Sequence, residues 1–307
     1  MSDTLQFIDL PNAPVDEADV LLLPIPLERT VSFKPGTADA PKAILETSEH
    51  LEFYEEDAGW SPFKYLKLSI LPEFEDDQSQ SDADLHARLT AHVASFPKDN
   101  LFISLGGEHS LTPSVVEARM PEPGTVIFLD AHGDMRTSYK GSRYNHACPV
   151  IRLLEQGHKI IMAGIRSVFE SEVELVENEP RITLFLDWDL RGKEQWESFL
   201  QKINSIEGPV YLSIDMDVFN PAAVPGVGTP VPGGFFWYQM IELLESLFSR
   251  KKIDLRGVDV VEIVPEASRV SEMTAAKLTL KIISFWGRAN SFNLKPQTGS
   301  QTLIDYE

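Results

Sequence analysis

Thr125-Val126-Ile127-Phe128-Leu129-Asp130-Ala131-His132-Gly133-Asp134 decides the fold. Its first five residues form an apolar, β-branched run with no polar alternation. That pattern suits a strand covered on both faces, as in a parallel sheet between helices. The run stops at three polar side chains two residues apart. In extended chain, positions i, i+2 and i+4 point the same way, so Asp130, His132 and Asp134 can converge on one point. A second run, 209–212, ends in Ser213-Ile214-Asp215-Met216-Asp217. A third, 101–105, ends in Gly106-Gly107-Glu108-His109-Ser110. Strand ends that supply oxygen and imidazole nitrogen without a thiolate describe a hard-to-borderline metal site, which Mn²⁺ suits better than Fe²⁺ or Zn²⁺. Four clustered Asp repel one another, which favours two divalent ions over one.

Strand-like runs recur at 20–23, 65–70, 101–105, 125–129, 159–162, 182–186, 209–214 and 255–261. Amphipathic segments lie between most of them, at 114–120, 148–156, 194–203 and 238–248. The last carries Met240, Leu243, Leu244 and Leu247 at helical spacing, a core-facing stripe. Alternation of this kind over the whole length predicts a three-layer α/β/α fold around a mostly parallel eight-stranded sheet. No repeat or long linker divides residues 1–307, so a single domain is expected. In open α/β sheets ligands sit beyond the carboxyl ends of the strands. His109, Asp130 to Asp134, Asp215 and Asp217 all fall there, and Glu262 ends a fourth run.

The chain has 27 Lys+Arg against 47 Asp+Glu, a formal charge of -20. So acidic a protein repels nucleic acid and anionic membrane surfaces and tolerates cationic ligands. The one cysteine, Cys148, excludes an intrachain disulfide and reads as a buried, inert thiol. No apolar run reaches membrane-spanning length and the N-terminus lacks signal-peptide features, so a cytoplasmic location is expected. The acidic stretch 73–84 reads as a solvated loop running into a helix start, and the polar tail 293–307 as peripheral.

These motifs resemble those of the ureohydrolase family of arginases, agmatinases and their guanidino-hydrolysing relatives. The likeness continues in the glycine-rich first loop Thr30-Val31-Ser32-Phe33-Lys34-Pro35-Gly36-Thr37, in Asn220-Pro221 with the stretch from Pro225 to Gly234, and in Asp259-Val260-Val261-Glu262. It implies two Mn²⁺ per chain. One would be held by His109, Asp130, Asp134 and Asp215, the other by His132, Asp130, Asp215 and Asp217. Two bound cations lower the pKa of water toward neutrality and supply a nucleophile for a guanidinium carbon. Collapse of the tetrahedral intermediate yields urea and a primary amine, with Asp134 among the catalytic groups. Glu262 then takes the place of the guanidinium-binding carboxylate, and His146 that of the histidine that shuttles a proton to the leaving amine. The resemblance also implies a homo-oligomer, trimer or hexamer, and a small cationic guanidino substrate.

Taken singly, His109 reads as a turn residue and Asp130 or Asp215 as a helix N-cap. The set of six carries the metal reading. Three departures stand out: Glu108 and Asn220 where the family has Asp, and Arg136 where arginases carry Asn. Phe169, after Arg166-Ser167-Val168, falls where arginases place an Asp. Loss of both polar contacts points to agmatine, converted to putrescine and urea, rather than arginine. Arg136 or Arg143 could instead clamp a carboxylate at the far end of a guanidino or formimino acid. Arginase, guanidinobutyrase, guanidinopropionase and formimidoylglutamase are therefore the rival activities. More distant readings are a single-zinc deacetylase-like amidohydrolase and a catalytically silent binding homologue.

Overall fold

The computed structural model describes residues 5–249 and 253–294. Eight parallel strands form one sheet in the order β2-β1-β3-β8-β7-β4-β5-β6. They are β1 (Val20–Ile25), β2 (Leu68–Ile70), β3 (Leu101–Gly106), β4 (Thr125–Leu129), β5 (Lys159–Ile165), β6 (Ile182–Leu186), β7 (Pro209–Asp215) and β8 (Asp254–Val261). All eight expected runs are strands. The second is shorter than expected because Pro62 opens a 3-10 turn whose carbonyl takes the amides of Tyr65 and Leu66.

Alternate residues of each strand feed opposite faces, and two cores result. Val20 and Leu22 join one core, packed under α1 (Ala40–Ser48), α7 (Lys193–Asn204), α8 (Trp237–Phe248) and α9 (Val270–Ala289). Leu21, Leu23 and Ile25 join the other, under α2 (Asp82–Ala94), α3 (Thr112–Arg119) and α4 (Pro149–Glu155). Short helices α5 (Glu170–Asn178) and α6 (Asp187–Leu190) flank β6. The fold is thus the expected α/β/α arrangement. The acidic stretch does lead into a helix, where the Ser81 hydroxyl caps α2 by accepting the Asp84 N–H. From residue 295 onward the polar tail lies outside the described residues.

Sheet order positions the site. Strands β3, β8, β7 and β4 are consecutive at the centre of the sheet. Because they are parallel, their carboxyl ends open side by side on one rim. Register aligns Ser104, Asp259, Ser213 and Phe128 in a single row across these four strands.

Helix α9 closes one face and is tied to the loop before β2 by buried charge. Lys281, 1 % exposed, reaches Glu55, 0 % exposed, at 2.7 Å and Asp57 at 2.7 Å. Lys277 meets the other Glu55 oxygen at 2.6 Å. Removing one member of a buried pair strands the other in low dielectric. Lys281→Met should therefore lower stability by about 3 kcal/mol, read as a lower urea midpoint at unchanged m-value.

Candidate active site

Beyond the carboxyl ends of β3, β4 and β7, three Asp side chains divide their oxygens the same way. Asp130 Oδ1 accepts the His132 N–H at 2.6 Å, Asp215 Oδ1 accepts the Asp217 N–H at 2.7 Å, and Asp217 Oδ1 accepts the Ala131 N–H at 3.0 Å. The second oxygen of each faces an imidazole, and that of Asp217 also accepts the Thr229 hydroxyl at 3.2 Å. Asp130 Oδ2 and Asp215 Oδ2 lie 3.1 and 3.3 Å from His109 Nδ1. Asp217 Oδ2 lies 2.9 Å from His132 Nδ1. Asp134 Oδ2 stands at the edge of this group, 3.7 Å from His109 Nδ1.

Two ligand-like triads result: His109, Asp130 and Asp215, then Asp130, His132 and Asp217. The first is fully buried. His109 Nδ1 and Asp130 Oδ2 are both sealed from solvent without a hydrogen-bond partner. Such orphaned buried atoms cost free energy unless something satisfies them, and a cation between them would. An all-oxygen-and-imidazole donor set fits divalent metal ions of the Mn²⁺ type.

The electrostatics point the same way. Burial, reinforced by neighbouring carboxylates, holds Asp215 and Asp134 well above the usual carboxylate range. Burial acts against ionised Asp130 too, but its contacts with His109 and His132 outweigh that and hold it low. Burial disfavours a charged His132, yet Asp217 and Asp130 push it up to about 12. The cluster draws positive charge to itself.

His109 is fixed from behind. Its ring stacks on Phe128, with centroids 4.4 Å apart and planes 3° off parallel. Its Nε2 meets Ser213 Oγ at 2.8 Å, and that hydroxyl donates to Asp259 Oδ1 at 2.7 Å. Thr112 Oγ1 donates to Asp259 Oδ2 at 2.9 Å. With a ring hydrogen on Nε2 held by Ser213, a cation that replaced the Nδ1 proton would meet its lone pair on the carboxylate side. Ser213 and Asp259 stand inside the strand-end motifs, but only the strand register shows that they adjoin.

Glu262, at the end of β8, is 9 % exposed and accepts the His109 N–H through Oε1 at 2.7 Å. Burial pushes it up to about 8. Its backbone is left-handed at φ 66, as is that of Asp134 at φ 48. Non-glycine residues seldom adopt this region, and such strain gathers at functional positions. A cavity of about 240 Å³ is lined by His132, Asp134, Asp215, Glu262, His146, Arg136 and Phe169, among others. At its mouth the Arg136 guanidinium lies between the rings of Phe169 at 4.4 Å and Tyr139 at 4.8 Å. Burial lowers His146 to about 4, so its ring is neutral near pH 7.

Arg143 is not brought here. It is exposed on the outer surface, pairs with Glu155 at 2.5 Å, and lines a separate cleft. The loop 137–145 carries it away from the cavity, which sequence spacing alone does not reveal. The two other departures have local roles. Glu108 Oε2 accepts the N–H groups of Arg29 and Thr30 at 2.8 and 2.7 Å, and Asn220 Oδ1 accepts the Ala222 N–H at 2.9 Å. Asn220 thereby closes its own turn, a task either oxygen of an Asp would also perform. Burial pushes the Cys148 thiol up to about 11, which keeps it unreactive.

Two further residues hold the site in roles that the sequence does not indicate. Glu172 accepts the Met135 N–H at 3.1 Å and the Phe169 N–H at 2.7 Å, joining the loops after β4 and β5. A Cβ on Gly133 would come within 2.7 Å of that carboxylate. Arg166 donates to the carbonyl oxygens of Asp217 at 2.6 Å, Phe219 at 3.2 Å and Val231 at 3.1 Å. It pins the backbone of the Asp217 loop.

Comparison with known proteins agrees with this geometry. Residues 18–284 match the model of the Arginase family. The N(1)-aminopropylagmatine ureohydrolase of Synechocystis sp. is 37 % identical over 282 residues, covering 89 % of this chain and 90 % of that protein. The agmatinase of Pyrococcus horikoshii is 34 % identical, covering 92 % and 96 %. The crystal structure of the agmatine ureohydrolase of Thermoplasma volcanium superposes with a TM-score of 0.80 at 30 % identity, covering 94 % of this chain and 96 % of that one. This chain belongs to the arginase family and is a ureohydrolase, a hydrolase of guanidino C–N bonds.

Proposed function

We propose that the chain hydrolyses an agmatine-type guanidino diamine, releasing urea and the corresponding amine, at a two-manganese centre. The observation that carries this is that one member of each Asp/His triad, Asp215 and His132, lines one cavity together with Asp134 and the Glu262 carboxylate. His109, Asp130, Asp134 and Asp215 would hold one ion, and His132, Asp130, Asp215 and Asp217 the other. Bound there, the ions supply a water-derived nucleophile near neutral pH.

The protein's own residues do the rest. Glu262 presents a carboxylate beside this centre, and an incoming guanidinium offers the positive charge that its ionised form requires. That contact orients the guanidinium carbon toward the centre. His146, neutral at rest on the cavity wall, takes up a proton and hands it to the departing amine nitrogen. Similarity to relatives named for agmatine and for N(1)-aminopropylagmatine supports a substrate whose tail is cationic. The absence of an Asp at Phe169 supports agmatine-type tails over arginine.

One observation favours a second reading. Arg136, held between two aromatic rings at the mouth, would repel a cationic tail and attract a carboxylate, as in guanidinobutyrate. Measuring kcat/KM for agmatine, N(1)-aminopropylagmatine, guanidinobutyrate and arginine separates the two. The diamine reading expects both amines to exceed the acid and arginine. Arg136→Ala should then raise kcat/KM for the amines. A preference for guanidinobutyrate that disappears in Arg136→Ala would establish the second reading instead.

Two substitution sets test the centre. Asp130→Ala or Asp215→Ala should strip both ions, because each removes a shared ligand, whereas His109→Ala should weaken one. Elemental analysis of dialysed protein reads this directly, and one ion per chain at saturation would sink the two-metal assignment. His146→Asn should cut turnover by about 10²–10⁴-fold with metal content unchanged. Full turnover, or loss of metal, would remove the shuttle role.

A further inference from the structure

Thr30 sits on the loop after β1, distant in sequence from His109 and from every Asp and His of the cluster, yet its hydroxyl meets His146 twice. The His146 backbone N–H donates to Thr30 Oγ1 at 3.0 Å, and His146 Nδ1 lies 2.9 Å from the same oxygen. Thr30 is in turn fastened. Its N–H and that of Arg29 both donate to Glu108 Oε2, while Glu108 Oε1 accepts the Ser110 hydroxyl at 2.6 Å. Glu108 is 3 % exposed. Backbone contact reinforces the joint: Gly107 and Glu108 donate their N–H groups to Ile25 and Leu27 oxygens, each at 2.8 Å. A Cβ on Gly107 would come within 2.1 Å of the Leu27 carbonyl oxygen. The loop bearing Thr30 is therefore clamped to the segment that carries His109.

A threonine hydroxyl has two acceptor positions. For the His146 ring to take up and deliver a proton at one nitrogen, the other must keep its hydrogen throughout. We propose that Thr30, held by Glu108, is a positioning residue whose Oγ1 accepts both the His146 N–H and Nδ1–H, leaving Nε2 as the proton-carrying atom at the cavity. This rests on the reading of His146 as the proton shuttle. Each cycle places a proton on Nε2 and passes it to the departing amine nitrogen, while the other hydrogen stays on Nδ1, donated to Thr30 Oγ1. The hydroxyl serves the neutral and the cationic ring alike, which a carboxylate there would not, because it would hold the cation.

The test compares Thr30→Val and Thr30→Ser with the wild type, all metal-loaded. Val keeps the shape and removes the acceptor. It should lower kcat by about 10- to 100-fold, with KM within about twofold and metal content unchanged. Ser should restore kcat to within a few fold. A second readout is independent of turnover. In ¹⁵N-histidine-labelled protein loaded with diamagnetic zinc, the His146 ring, assigned by its loss in His146→Asn, should show a protonated Nδ1 in the wild type and in Thr30→Ser. In Thr30→Val the hydrogen should move to Nε2. If Thr30→Val fails to fold, Thr30→Ala carries the same expectations. An unprotonated Nδ1 in the wild type, or wild-type kcat in the variant that lacks the hydroxyl, overturns the proposal. Should the wild type release no urea from any guanidino compound, the catalytic reading falls, and the ring spectra still decide the Thr30 contact.

Discussion

Like charges sealed from water cannot simply be packed together, and this site is organised around that constraint. Asp130, Asp215 and Asp217 are nearly solvent-free, and their Coulomb repulsion is far stronger here than it would be in water. Each carboxylate gives one oxygen to a backbone N–H and turns the other toward an imidazole. The first contact fixes orientation, and the second supplies a partner able to carry positive charge. Only a rigid rim could keep such groups from splaying apart. Four adjacent parallel strands form that rim, and the row Ser104, Asp259, Ser213 and Phe128 lies beneath the Asp/His cluster as its floor.

Rigidity at the rim extends outward through carboxylates with structural duties. Glu108 joins the β1 loop to the His109 segment, Glu172 joins the loops after β4 and β5, and Asp259 anchors the hydroxyl behind His109. Arg166 does the complementary work with a cation and carbonyl oxygens. None of these groups needs to touch a substrate. They hold the Asp/His cluster and the cavity wall at separations where small displacements carry large energetic consequences.

Much of this architecture is legible in the residues. Hydrophobic runs ending in Asp, His and Glu locate the strands and their polar ends, because a buried parallel strand has to read as an unbroken apolar run. Helix α9 is harder to see. From Leu278 to Ser284 every residue is buried, so its apolar side chains fall on all sides rather than in one stripe. Arg143 escapes prediction because the intervening residues allow the loop to turn either way. Glu172 stands in no motif, and Thr30 and Arg166 stand in family-like stretches that give no hint of their partners. The partners of Thr30, Glu172 and Arg166 are 116, 37 and 51 positions distant, and only the fold makes them neighbours.

Two groups in the cavity also carry a standing thermodynamic debt. Asp134 and Glu262 both hold left-handed backbone, a conformation that glycine adopts freely and that costs other residues roughly 1–3 kcal/mol. Glycine at either position would relax the chain while deleting a carboxylate. If these carboxylates serve as proposed, a selection for heat resistance alone would drift toward a tougher but silent protein at these two positions. On the proposed roles of Asp134 and Glu262, stabilisation of this scaffold has to come from elsewhere, such as the helix layers away from the rim.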